Sequence, residues 1–223
     1  MKGDVVQTVG RWELPAADTY FKDRLTERGF EIEKLDAALK HVTNWRTAVD
    51  GGAHIGTWSV AMAARFKTVL AFEPAHDTFQ CLTRNLGGIE NVVPLQAALG
   101  SEVGRAALRD CESRPGNTGA RYLVDGDSID VECLDAYGID DLDFLKLDLE
   151  GHEYCALLGA RATLLRCRPV VCIESKRGFG ARYGIAEDAA LSHDIADGAA
   201  LRLLEKWGAR EVERMKSDHV FVF

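Results

Sequence analysis

Between Thr47 and Glu174 the sequence alternates short apolar runs with longer amphipathic ones, and that rhythm leaves few ways to fold. The runs "TAVD" (47–50), "TVLAF" (68–72), "NVVPLQAAL" (91–99), "LDFLKLDL" (142–149) and "PVVCIES" (169–175) have the length and apolar content of buried strands. The intervening "TWSVAMAARF", "AHDTFQCLTRNL" and "EYCALLGARATLL" repeat apolar residues at three- and four-residue spacing, as helices do. Strand–helix alternation implies a parallel sheet covered by helices on both faces. Helical periodicity returns in "ALSHDIADGAALRLLEKWG", and "AREVERM" and "DHVFVF" then close the chain with no helix between them. The expected fold is therefore α/β: a Rossmann-like sheet, mostly parallel, ending in an antiparallel hairpin.

Two stretches depart from the rhythm. Residues 17–43 read as helical, so 1–45 are expected to be an N-terminal helical addition to a main domain over 46–223. Residues 103–133 place strand-like "VGRAALRD" and "DSIDVECL" around "ESRPGNTG", the pattern of an inserted hairpin.

Composition narrows the setting. The 223 residues carry a formal charge of −8, which argues against a nucleic-acid-binding protein. No apolar run approaches membrane-spanning length, and "MKGDVVQTVGRWELP" has no signal-peptide core. The six cysteines form no C-x-x-C pair and no zinc spacing with histidine. The expectation is a cytoplasmic protein with no membrane partner and no assigned metal ligand; the oligomeric state is not readable.

A candidate ligand site begins at "VDGGAHIG" (49–56), a glycine turn between strand and helix. Such turns let a backbone approach a ligand closely. The dinucleotide pattern would need glycine where Ala53 stands; Asp50, Gly52 and Gly56 remain. The next strand ends in Glu73, well placed to accept both ribose hydroxyls of a nucleoside ligand. A carboxylate at Asp50 suits a cationic ligand better than a pyrophosphate. The Tyr-x-x-x-Lys pair of short-chain dehydrogenases is missing as well. S-adenosylmethionine leads on these grounds, with a nicotinamide-dependent oxidoreductase and a non-catalytic binding domain as the alternatives.

The stretch "LDFLKLDLEGHE" (142–153) points to the chemistry. In a strand, Leu145, Leu147 and Leu149 share one face, and Phe144, Lys146, Asp148 and Glu150 share the other. Buried charges are costly unless paired, but ligands of open α/β sheets bind beyond the carboxyl ends of the strands. Asp148 and Glu150 would emerge there, with Lys146 one step deeper, pairing with Asp148 or Glu174.

Three blocks, "VDGGAHIGTWSVAMAARFKTVLAFEP", "LDFLKLDLEGHEYCALLGA" and "PVVCIE", together resemble the FkbM-type methyltransferase family in order and spacing, from about residue 46 to 174. The resemblance implies the class I form of the sheet and S-adenosylmethionine-dependent O-methylation of a small-molecule or sugar acceptor. It implies that Asp50, Gly52 and Gly56 hold the methionine part and Glu73 the ribose, with Ala97 and Ala98 beside the adenine. His54 stands where the family often has asparagine and keeps a polar contact. For methyl transfer to a hydroxyl, Glu150 is the candidate base, Asp148 the orienting acid and Lys146 their support, with His152 and His76 as rival bases. Asp148, Glu150 and Glu174 would also be an oxygen set that Mg²⁺ accepts, a variant the spacing does not demand. "ESKRGFGARYG" (174–184) is expected to overhang the same pocket, with Lys176, Arg177 and Arg182 facing an anionic acceptor.

Overall fold

The computed structural model describes residues 6–176 and 198–223. The chain opens with a hairpin, β1 (Val6–Val9) and β2 (Trp12–Pro15), then runs irregularly to α1 (Ile32–Leu39). The alternating part follows: β3 (Thr47–Gly51), α2 (Thr57–Ala63), β4 (Thr68–Phe72), α3 (His76–Asn85) and β5 (Val92–Leu95). Next come β6 (Ala98–Leu99), β7 (Gly104–Arg109) and β8 (Tyr122–Glu132). The rest is β9 (Leu142–Leu147), α4 (Glu153–Leu158), α5 (Arg161–Cys167), β10 (Val170–Glu174), α6 (Ala199–Lys206), β11 (Arg210–Met215) and β12 (Asp218–Val222).

Seven strands form the central sheet in the order β5-β4-β3-β9-β10-β12-β11. The pairs from β5 to β10 are parallel, and β12 enters antiparallel to both neighbours. The expected mostly parallel sheet with a terminal hairpin is what the chain forms. Alternation along β9 decides which face each side chain serves. Phe144 packs with Leu35, Trp58, Met62 and Leu82 under α1–α3, whereas Leu145 and Leu147 pack with Leu157, Leu164 and Leu204 under α4–α6. Both faces of β9 are buried, which is why it reads as a nearly continuous apolar run.

The expected helix over 17–43 is a correction: only Ile32–Leu39 is α-helical. Asp18 does make a cap-like bond, its Oδ1 accepting from Phe21 N at 2.7 Å, and one turn follows as Leu25 N bonds Phe21 O. Thr26 and Gly29 then exchange backbone hydrogen bonds, and Gly29, at φ +122°, ends the turn. The hairpin β1–β2 packs Trp12 and Leu14 against Ile55 and Cys81. Asn85 ties it down, accepting from Glu13 N and donating to the carbonyls of Glu13 and Ile55. The N-terminal 45 residues are thus a hairpin, a loop and one helix rather than a helical unit.

Two smaller differences concern lengths. The apolar run 91–99 divides, because Ala98–Leu99 leaves the main sheet to pair with β8, itself antiparallel to β7. The single expected helix after residue 152 is two, α4 and α5, separated at Gly159–Ala160. Of the helix expected over 190–208, Ala199–Lys206 is seen and residues 190–197 lie outside the described part.

Candidate active site

The carboxyl ends of β3, β4, β9 and β10 open on one cavity of about 650 Å³, within the range that encloses a nucleoside-sized ligand. Gly52, His54, Glu73, Ala97, Ala98, Lys146, Asp148, Glu150 and Glu174 all line it. Glu73 and Glu150, from separate crossover units, face the same space.

The glycine turn is held from below. Gly52 N and Ala53 N both donate to Phe72 O, at 3.0 and 2.8 Å, so the loop rests on the end of β4. Glu73 continues the support: its carboxylate accepts from His54 N and Ala75 N, each at 2.9 Å. One bond to each oxygen leaves lone pairs for two ribose hydroxyls. Burial pushes the Glu73 carboxyl up to about 7, against the downward pull of those two N–H groups.

His54 adopts φ +52° and packs against Phe21, with ring centroids 4.4 Å apart and the planes tilted by 36°. Its Nε2 lies 2.9 Å from Thr118 Oγ1, and that hydroxyl donates to the fully buried Asp18. Because the Thr118 proton goes to Asp18, His54 is the donor in its own bond, and burial pushes it down to about 4, keeping it neutral. Three distant segments meet there: the N-terminal loop, the β7–β8 connection and the glycine turn. The sequence reading missed the outcome, a wall of Tyr20, Phe21 and Phe30 on the cavity. Its one available signal was the capping acid at Asp18. Leu108 and Leu123 from β7 and β8 complete the wall near Ala97 and Ala98.

Two of the expected cofactor residues do not line the cavity. Asp50 is fully buried and does not line the cavity; it accepts from Ser59 Oγ at 2.6 Å and faces Lys146 Nζ at 3.1 Å. Gly56 also lies off the cavity, at φ +88°, where an added Cβ would stand 2.5 Å from Leu82 Cδ1. It lets α2 start against α3. Gly52 keeps its place: at φ +75°, an added Cβ would meet Asp148 O at 2.0 Å.

Lys146 is corrected in its partner. Instead of Asp148 or Glu174, it pairs with Asp50, its register neighbour on β3, and donates to Gly52 O at 2.6 Å. Burial lowers its pKa, but Asp50 and Asp148 outweigh that and hold it charged. It fastens the glycine turn to β9.

Asp148, Glu150 and Glu174 present oxygens within 4.8 Å of one another. Lys176 Nζ stands between two of them, 2.8 Å from Glu150 Oε1 and 2.6 Å from Glu174 Oε2. Burial and the charge of Asp148 push Glu174 well above the usual carboxylate range, and the two side chains are hydrogen-bonded to each other. Burial would raise Asp148 too, yet Lys146 and Lys176 bring it below its ordinary value. Burial raises Glu150, with Lys176 opposing. Glu150 sits at φ +51°, in a turn pinned by Glu153, whose Oε1 accepts from Leu149 N at 2.7 Å. Of the rival bases, His152 is buried on the cavity, whereas His76 is exposed beside Gln80 and off it. Arg177 and Arg182 lie outside the described residues.

A family described as the methyltransferase FkbM domain matches residues 50–210. Methyltransferase sdnD of Sordaria araneosa is 37% identical over 107 residues, which is 46% of this chain and 39% of that protein. Among solved structures, methyltransferase FkbM from Methylobacillus flagellatus KT is similar with a TM-score of 0.53 at 18% identity, over 81% of this chain and 45% of its own. N-methyltransferase NodS from Bradyrhizobium japonicum WM9 follows at 0.51 and 8%, over 86% of this chain and 90% of its own. At such identities the likeness is one of fold. The chain spans less than half the length of the first two relatives.

Proposed function

The chain belongs to the methyltransferase FkbM family, and from that premise we propose that it is an S-adenosylmethionine-dependent methyltransferase acting on a hydroxyl of a small or carbohydrate acceptor. The observation that carries the reading is the shared cavity: a backbone turn, a ribose-type acid and a carboxylate cluster face one another. Family membership sets the nicotinamide alternative aside.

When bound, S-adenosylmethionine supplies an electrophilic methyl group on a sulfonium. In this reading Glu73 holds the ribose and Ala97, Ala98, Leu108 and Leu123 enclose the base. Gly52 brings backbone to the methionine end, near the negative charge of Asp148. Glu150 takes the acceptor's proton as oxygen attacks, a contribution of roughly 10²–10⁴-fold. The aromatic wall and the buried floor exclude water and align the acceptor. No helix among the described residues is long and apolar enough to cross a membrane. The cytoplasmic setting remains part of the proposal.

Calorimetry with S-adenosylhomocysteine tests the cofactor half. Glu73→Ala is expected to weaken binding about 100-fold, because each charged hydrogen bond is worth roughly 1.5–3 kcal/mol. Affinity should also depend on pH. Glu73 has its pKa raised to about 7, and hydroxyl donors prefer the ionised form. Binding should therefore tighten about tenfold as pH rises from about 6 to about 8, and Glu73→Gln should flatten that rise. A folded sample that leaves the ligand unbound rejects the site. Methyl-labelled S-adenosylmethionine offered with sugars, nucleotide-sugars and amines tests the other half: label passing to amines alone overturns O-methylation.

A further inference from the structure

Three carboxylates this close repel one another strongly unless protons or a cation are shared among them. Here a cation is shared: the Lys176 ammonium bridges Glu150 and Glu174 from just beyond β10, and Asp148 and Glu174 are hydrogen-bonded to each other. Lys146 helps to hold Asp148 below its ordinary value, but its short contacts go to Asp50 and Gly52, so Lys176 is the cation that touches the cluster.

An ammonium has three N–H donors. Lys176 spends two on Glu150 and Glu174, and no described side chain takes the third, although the residue lines the cavity. A lysine anchored between two acids is a fixed positive point beside the candidate base. It stands against two of the three carboxylates that could hold a divalent ion, so the two cations would compete for those oxygens.

We propose that Lys176 is the acceptor site's own cation: it seats the acceptor oxygen beside Glu150 and takes the place of a divalent metal. The inference rests on the methyl-transfer reading for the identity of the acceptor oxygen, but the occupancy of the cluster can be measured without it.

The experiment follows Mn²⁺ uptake by electron paramagnetic resonance on the full chain, with S-adenosylhomocysteine titrated into the same samples. Wild type and Lys176→Arg are expected to leave Mn²⁺ free. Lys176→Met should bind one Mn²⁺ per chain at least about tenfold tighter, since the site regains an uncompensated charge, and adding Glu174→Gln should remove that uptake. S-adenosylhomocysteine affinity should stay within about threefold throughout, which also verifies folding. With the acceptor found by the labelled-methyl screen, Lys176→Met should lower kcat/KM about 100-fold, ethylammonium should restore part of it, and wild type should ignore EDTA. Equal Mn²⁺ binding by wild type and Lys176→Met overturns the proposal. So does absence of uptake by Lys176→Met, or unchanged turnover in it. Failure of every sample to bind S-adenosylhomocysteine would sink the methyl-transfer reading while leaving the Mn²⁺ comparison standing.

Discussion

Asp50→Ala is expected to lower the unfolding free energy by about 3–5 kcal/mol, the usual consequence of leaving a buried charge without its partner. For a chain of this length that means a fall of about 10 °C in Tm. Asp50 is fully buried, and its carboxylate holds Ser59 on α2 and Lys146 on β9. Without it, Lys146 stays in the interior at 9% side-chain exposure, with the Gly52 carbonyl as its hydrogen-bond acceptor and only the less direct charge of Asp148 to balance it. The double variant Asp50→Ala/Lys146→Met should recover at least half of the loss, because two uncharged side chains need no counter-ion. Thermal or urea unfolding of wild type, Asp50→Ala, Lys146→Met and the double variant makes the comparison. A stability loss below about 1 kcal/mol, combined with weakened S-adenosylhomocysteine binding, would return Asp50 to direct ligand contact.

Gly52→Ala is expected to abolish S-adenosylhomocysteine binding at concentrations that saturate the wild type, and to cost about 2–4 kcal/mol of stability. Two effects combine. The φ of +75° is strained for any residue with a Cβ, and that Cβ would lie 2.0 Å from a backbone oxygen, Asp148 O. Backbone cannot swing aside as a side chain can, so the β3 and β9 ends would be pushed apart under the ligand. Gly56→Ala provides the contrast. Its clash is with the tip of Leu82, 2.5 Å away, off the cavity. Gly56→Ala should lower Tm yet leave affinity within about threefold, since α2 and α3 can repack. Equal loss of affinity in both variants would mean that the turn acts as one unit and that the separation drawn between its glycines is wrong.

Much of the fold was legible because its signals are local. "TVLAF" coincides with β4, and the two-faced pattern of 142–149 put Phe144 and Lys146 opposite Leu145 and Leu147, as β9 does. Residues 17–31 were not legible. Asp18 makes the bond a helix start would make, and a loop results because Gly29 and the pull of Gly116 and Thr118 on the segment outweigh helical propensity. Thr118 lies a hundred positions away from its partner, beyond any periodic pattern.

The candidate site divides in the same way. Glu73, Gly52, Asp148 and Glu150 could be named from strand ends and a turn, since the carboxyl edge of a parallel sheet is where such residues must emerge. Asp50 and Gly56 sit in the same motif and serve the interior instead. Lys146 shows why: the sequence offered it Asp148 two positions on, but alternate side chains along a strand are farther apart than register neighbours on adjoining strands.

Unaided, the amino-acid order determined the kind of sheet, its rim and most of the polar groups at that rim, because a period of two or of 3.6 residues is written within one segment. Only the packed structure decided which charge answers which, that an N-terminal loop walls the cavity, and that Lys176 sits among three acids. Those outcomes depend on strand register and on contacts between remote segments, where burial makes each unpaired charge expensive and leaves few pairings permitted.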